Sequence, residues 1–143
     1  MLIMSTKTKE KMVDVKIIEL ALLAAGGLTG TFLRYRITES PILFGALQAN
    51  VLIANIVGSF ILGLFFVVSQ QWNLDGKYAL LIAIGFCGAL TTMSSFALET
   101  NTLLDNRQFS LAATNILANV GLSIGAIFAG KTLMSMIVKG GLS

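Results

Sequence analysis

Four long stretches nearly empty of charge constrain this chain more than any other feature. They run over roughly residues 17–34, 46–69, 77–104 and 110–138. A bilayer core takes about 20 apolar residues per helix, and each stretch approaches or exceeds that length. The first is the weakest, with Glu19 at its edge, and the second lies in the charge-free segment 40–74, broken near its start by Pro41. Barrel strands would alternate polar and apolar residues, which runs such as Ile-Leu-Gly-Leu-Phe-Phe-Val-Val (61–68) do not. The expected fold class is an all-α membrane protein with four transmembrane helices. A polar leader (1–16) precedes the membrane domain (17–138), and a short tail (139–143) follows it.

Charge supports this reading. Charged residues make up 12% of the chain, about half the roughly 25% of a soluble domain. A net charge of +3 raises the question of nucleic acid, but Lys7, Lys9, Lys11 and Lys16 sit in the leader and the interior is nearly uncharged. Basic residues so placed mark the cytoplasmic side of a membrane protein, and no nucleic-acid partner is expected. The leader is read as retained or as a short amphipathic helix, because no A-x-A cleavage site follows it. With four crossings, one side holds Lys7, Lys9, Lys11, Lys16, Lys77, Lys131 and Lys139, and the other holds Arg34, Arg36 and Arg107. Seven cations against three favour both termini inside, in a multi-pass protein of the plasma membrane. Tyr35, Trp72 and Tyr78 fall at expected helix ends, where amphipathic rings sit among headgroups. An Asp-Gly turn is expected at Asp75–Gly76.

Histidine is absent and Cys87 is the single cysteine. The usual catalytic base, a CxxC site and an internal disulfide are therefore missing, and no enzymatic chemistry is expected. Close-spaced small residues (Gly26, Gly27 and Gly30; Ser59 and Gly63; Gly85 and Ala89; Gly121 and Gly125) suit tight helix contacts and a compact bundle that dimerises.

Polar groups inside a membrane helix are costly unless paired or facing a cavity. Asn115, Asn119 and Ser123 follow at i,i+4 on one helix face, and Asn55 and Ser59 repeat the spacing earlier. Neutral donors of this kind suit either a path for an anion or interhelical hydrogen bonding; both readings stand. In the third stretch, Gly85 and Gly88 precede Thr91, Thr92, Ser94 and Ser95. That composition makes a poor continuous helix. A break there frees backbone carbonyls, which are ligands for a small hard cation such as sodium. Glu99 continues the Phe96 face, and a carboxylate at that depth needs a partner; Arg34 is the candidate for charge balance.

The stretch Gly26-Gly27-Leu-Thr-Gly30-Thr-Phe-Leu-Arg34-Tyr35 resembles the first-helix GGxxGxxxRY segment of the Fluc (CrcB) family of fluoride channels. Asn55-Ile-Val-Gly58-Ser59-Phe60-Ile-Leu-Gly63 looks like that family's NxxGSFxLG motif, and Gly85-Phe86-Cys87-Gly88-Ala-Leu-Thr91-Thr92 with Ser94, Phe96 and Glu99 is similar to its broken third helix. The resemblance covers about residues 18–136. It implies an antiparallel, dual-topology dimer of four-helix subunits, with two pores that export fluoride passively. By the same resemblance, Asn55 lines a pore, and the Gly88 and Thr91 carbonyls of both subunits hold a structural sodium ion. Met93 and Phe96 occupy the two "Phe box" positions, where ring edges face fluoride. Thr92, Ser94, Ser95, Asn119 and Ser123 extend the polar track. Asn119 and Ser123 fit it better than Asn115, which stands where relatives often have tyrosine.

Met93 departs from the family pattern, since phenylalanine is usual there and a thioether has no ring edge. This departure and the uneven cations raise a heterodimer with a paralogue as the alternative to a homodimer. Two other functions compete with the channel. One is a small proton-coupled four-helix multidrug exporter, for which Glu99 supplies a carboxylate; the other is a non-conducting partner subunit.

Overall fold

The computed structural model describes residues 6–39, 43–44 and 47–140. Four crossings account for nearly all of them, spanning Asp14–Glu39, Asn50–Gln71, Gly76–Asp105 and Phe109–Gly140. The chain is thus a multi-pass membrane protein, as its hydropathy pattern requires. Helix α1 (Thr6–Glu39) is continuous, so the leader from residue 6 onward and the first crossing form one rod. At 1.5 Å per residue the rod is about 50 Å long, well beyond a bilayer core.

Helix α2 (Asn50–Gln71) begins four residues later than the apolar run suggested. Two short strands precede it, β1 (Leu43–Phe44) and β2 (Leu47–Gln48). They pair antiparallel, Leu43 with Gln48 and Phe44 with Leu47. Pro41 and Ala46 lie outside the described residues, as do residues 141–143 of the tail. The buried Asn50 side chain donates to the Ile37 carbonyl and ties the end of α1 to the start of α2.

The third crossing is segmented. Helix α3 (Gly76–Ala79) passes into a π-helix (Leu80–Cys87), then α4 (Gly88–Leu90); after a break, α5 (Met93–Asp105) completes the crossing. Helix α6 (Phe109–Gly140) is the fourth. The expected break is present; the π-helix before it was not anticipated.

Backbones approach closely wherever glycine removes the side chain between them. A Cβ on Gly26 would strike the Leu81 carbonyl, and one on Gly30 the Phe86 carbonyl, so α1 lies directly on the π-helix. Gly85 returns the contact against the Leu23 carbonyl. Along α2 and α6 the arrangement recurs: Gly63 faces the Ile127 carbonyl and Gly130 the Phe60 carbonyl. Small residues permit this approach in a medium where apolar packing alone gives no preference for helix over lipid. Gly27, Gly121 and Gly125 face open space.

The two loops between α2 and α3 and between α5 and α6 close in the same way. Leu74 N–H bonds the Ser69 carbonyl at 3.0 Å, and Gln108 N–H bonds the Leu103 carbonyl at 2.8 Å. Each places a residue in the left-handed region, Asn73 (φ 44°) and Arg107 (φ 57°). This is the six-residue C-terminal closure that satisfies orphan helix carbonyls. The Asp75–Gly76 turn expected from the sequence is present as a helix start: Asp75 Oδ1 accepts from the Lys77 N–H at 3.0 Å. That N–H holds the exposed Asp75 carboxyl below its ordinary pKa, with the nearby Lys77 ammonium adding to the effect.

Candidate functional site

The site is built around the break in the third crossing. Thr91 (φ −77°, ψ 152°) and Thr92 (φ −148°, ψ 113°) are extended, with fifteen residues of the crossing before them and thirteen after, by subtraction within Gly76–Asp105. Thr92 caps α5, its Oγ1 accepting from the Ser95 N–H at 3.2 Å. The Thr92 N–H donates to Asn55 Oδ1 at 2.8 Å. In an unbroken helix these two N–H groups would bond the carbonyls four residues back, those of Gly88 and Thr91. Both carbonyls therefore lose their helical donors. The Thr91 hydroxyl donates to the Cys87 carbonyl at 3.0 Å, and a Cβ on Gly58 would meet the Thr91 methyl. Thr91 thus has its hydroxyl committed and its methyl turned to α2, leaving the carbonyl as its available group.

Beside the break lies a cleft of about 370 Å³ between α2, the third crossing and α6. Of the expected site residues, Asn55, Gly88, Thr91, Thr92, Met93, Phe96, Asn119 and Ser123 all line it. None of its lining residues carries a formal charge. Met93 is 73% exposed at the rim, whereas Phe96 is 7% exposed. Ser94 and Ser95 are not lining residues but adjoin the cleft through the Thr92 hydroxyl, at 3.2 Å and 3.0 Å.

Across the cleft, the neutral polar groups form a directed series. Asn55 Nδ2 donates to Asn119 Oδ1 at 3.0 Å, and Asn119 Nδ2 donates to Asn115 Oδ1 at 2.9 Å. Asn115 Nδ2 then donates to Thr100 Oγ1 at 3.1 Å, and the Thr100 hydroxyl donates to the Phe96 carbonyl at 2.8 Å. Asn115, Asn119 and Thr100 are buried. The aligned fourth-helix stripe therefore does part of what the interhelical reading expected. Ser123, one turn beyond Asn119, is different: its Oγ is buried and has no hydrogen-bond partner among the described residues.

Arg34 and Glu99 are not brought together. Among the described residues the ion pairs are Arg36–Glu39 at 2.7 Å and Lys77–Asp75 at 3.5 Å. Lys131, on α6, instead stands 4.3 Å from the Phe66 ring centroid, an attraction to the face of the aromatic ring.

Thr100 was missed by sequence reasoning, and Asn115 was ranked below its neighbours. The signal was present: Thr92, Phe96 and Thr100 recur every four residues and share a face. Ser59 also lines the cleft.

Comparison with known proteins finds a match of residues 21–131 to the family described as CrcB-like protein, Camphor Resistance (CrcB). A protein of Nitrosopumilus maritimus named fluoride-specific ion channel FluC is 61% identical over 125 residues, covering 87% of this chain and 99% of the relative. Proteins of the same name from Methanococcus maripaludis and Alteromonas mediterranea are 39% and 44% identical over 114 and 115 residues. These cover 79% and 78% of this chain, and 93% and 91% of the relatives.

Proposed function

The chain belongs to the CrcB-like family, and from that premise we propose that it is a passive, fluoride-selective channel exporting fluoride across the plasma membrane. The family's activity is ion conduction, so the protein is not an enzyme. One observation carries the assignment of the path: a mid-membrane cleft with no charged lining residue, in which the buried Ser123 hydroxyl has no partner among the described residues. An orphan buried donor is costly unless something else satisfies it. A small anion passing along the cleft meets that need. Neutral donors replace its hydration without the fixed charge that would hold it.

In this reading Asn55 and Ser123 present donors along the track, with the hydroxyls of Thr92, Ser94 and Ser95 extending it and Asn119 orienting the Asn55 amide. The Phe96 ring edge, electropositive by its quadrupole, faces the ion. Met93 fills the first Phe-box position with a polarizable thioether. Two pores run along the interface of an antiparallel dimer, and the exposed glycines Gly121 and Gly125 on α6 suit close approach of a second copy. The Gly88 and Thr91 carbonyls, deprived of helical donors, have the hard-oxygen chemistry a structural sodium ion takes. The Gly88 and Thr91 carbonyls would hold such an ion, which would supply the positive charge that balances their dipoles. Arg34 and Glu99 serve as structural charges in separate places.

The partner is a second copy of this chain. A paralogous partner is favoured by one feature: four of the seven cations on the terminal side are Lys7, Lys9, Lys11 and Lys16, which precede the family match at residue 21. Expressing the chain alone separates the two. Restored growth of a fluoride-sensitive host, with a dimer purified from its membranes, is the expected result. Absence of both dimer and resistance, reversed by a second gene, would establish the paired form.

A further inference from the structure

We propose that Ser59 is an ion-binding residue of the cleft, its hydroxyl and that of Ser123 forming a paired-donor site for fluoride one helical turn beyond the Asn55–Asn119 bridge. The identity of the ion rests on the fluoride reading; the pairing rests on the register of two helices. Helices α2 and α6 run parallel. Asn55 donates to Asn119 at 3.0 Å, and about two turns further along both helices the Gly63 backbone lies against the Ile127 carbonyl. Each pair is 64 positions apart, and so are Ser59 and Ser123. The two serines therefore fall at one level, midway between an amide bridge and a backbone contact. Both line the cleft.

Neither hydroxyl is committed. A serine or threonine inside a helix commonly bonds the carbonyl four residues back. Thr29, Thr38, Thr100, Thr102 and Thr114 all do so here. Ser59 and Ser123 do not: among the described residues neither hydroxyl bonds its own helix, the other serine or any other group. Yet Ser59 is only 9% exposed, and Ser123 Oγ is buried. The lining side chains nearest them in sequence, Leu62, Val120 and Ile124, are apolar and offer no acceptor. Two buried donors left open at one level are costly unless a guest accepts from both.

Hydroxyl hydrogens rotate, so two O–H groups on facing helices can converge on one small acceptor. Neither carries charge, so an ion held between them is released as readily as it is bound. The glycine contact that follows limits how far the helices separate at this level, which favours a small anion over a larger one.

The test measures fluoride and chloride efflux from liposomes carrying Ser59→Ala, Ser123→Ala, the double variant and Ser59→Thr, with melting of each protein. Ser59→Ala breaks no bond within the described residues and should melt as wild type does, while fluoride flux falls by about tenfold. Ser59→Thr restores a hydroxyl and should stay within about threefold of wild type. If both hydroxyls hold one ion, the double variant falls no more than about threefold below the weaker single variant, because either loss already breaks the pair. Fluoride titration of serine-labelled protein, with chloride as the control, reads binding apart from flux. The Ser59 and Ser123 amide resonances should shift together with one midpoint, and Ser59→Ala should abolish the Ser123 response.

Wild-type flux in Ser59→Ala with resonances indifferent to fluoride means that the serines hold water only, and overturns the proposal. So does a multiplicative loss of about a hundredfold in the double variant, which marks two separate contacts. Where flux and titration disagree, the titration decides. A wild-type chain that binds fluoride at these serines but conducts none sinks the channel reading and leaves the site. Normal wild-type conduction with no response at Ser59 does the reverse.

Discussion

Asn55 and Thr92 are joined at two points, the Thr92 N–H donating to Asn55 Oδ1 at 2.8 Å and Asn55 Nδ2 lying 3.4 Å from the Thr92 carbonyl. One side chain on α2 thus takes over backbone groups that the broken third crossing releases. Backbone at this depth is tolerated outside a helix only when it is buried in protein or lines a cavity. Here the stitch and the cleft share the same residue. Stability of the break and composition of the ion path are therefore coupled through Asn55.

Replacing Asn55 separates these two roles. Asn55→Leu leaves the Thr92 N–H without its acceptor, and destabilisation of about 1–3 kcal/mol is expected in thermal melts of the solubilised protein. Asn55→Asp keeps an acceptor for Thr92 while placing a carboxylate in the cleft. It should fold better than Asn55→Leu, yet conduct no fluoride. Normal flux through the aspartate variant would remove Asn55 from the path.

Ser123 gives the opposite pattern. Its hydroxyl has no partner among the described residues, so Ser123→Ala should leave stability unchanged or raise it by up to about 1–3 kcal/mol, while fluoride flux falls. A clear loss of stability with flux intact would mark the hydroxyl as interhelical glue.

Phe96 and Met93 differ in burial and should differ in consequence. Phe96→Ile removes a ring edge held inside the cleft, and a fall in fluoride flux of at least about tenfold, or about 1.4 kcal/mol of barrier, is expected with the dimer retained. Met93→Phe adds a ring edge at the exposed rim and should preserve or raise flux. Unchanged flux in Phe96→Ile would show that the ring assignment is wrong.

The helix contacts supply an internal control three residues apart. Gly30→Ala drives a Cβ into the Phe86 backbone carbonyl, which cannot rotate away, and overpacking of this kind costs about 1–3 kcal/mol. Gly27→Ala meets open space and should be neutral, or stabilising by up to about 1 kcal/mol, because alanine is the better helix former. Equal melting temperatures for the two would place the α1 contact elsewhere.

The four crossings and the break were legible because each follows from local composition: apolar runs of membrane length, and hydroxyl residues that give the backbone other partners. The cleft residues were legible because neutral polar side chains stand out in an apolar helix and recur at helical spacing. The π-helix was not legible. Leu80–Cys87 is uniformly apolar apart from Gly85 and Cys87, and nothing in that pattern distinguishes a wider turn from an ordinary one. Thr100 was passed over because a threonine near a helix end usually bonds its own backbone. It does so here, and only the packing of α5 on α6 gives its oxygen a second task. Arg34 and Glu99 show the converse: opposite charges invite pairing on paper, and the folded chain keeps them apart.

Fluoride efflux from liposomes carrying the purified full-length chain tests the central claim most directly. A fluoride-selective electrode should record rapid release down the gradient once counter-charge is supplied, while chloride in matched liposomes stays trapped. Dimeric protein, shown to be in the liposomes, that releases no fluoride above the protein-free rate would contradict the account.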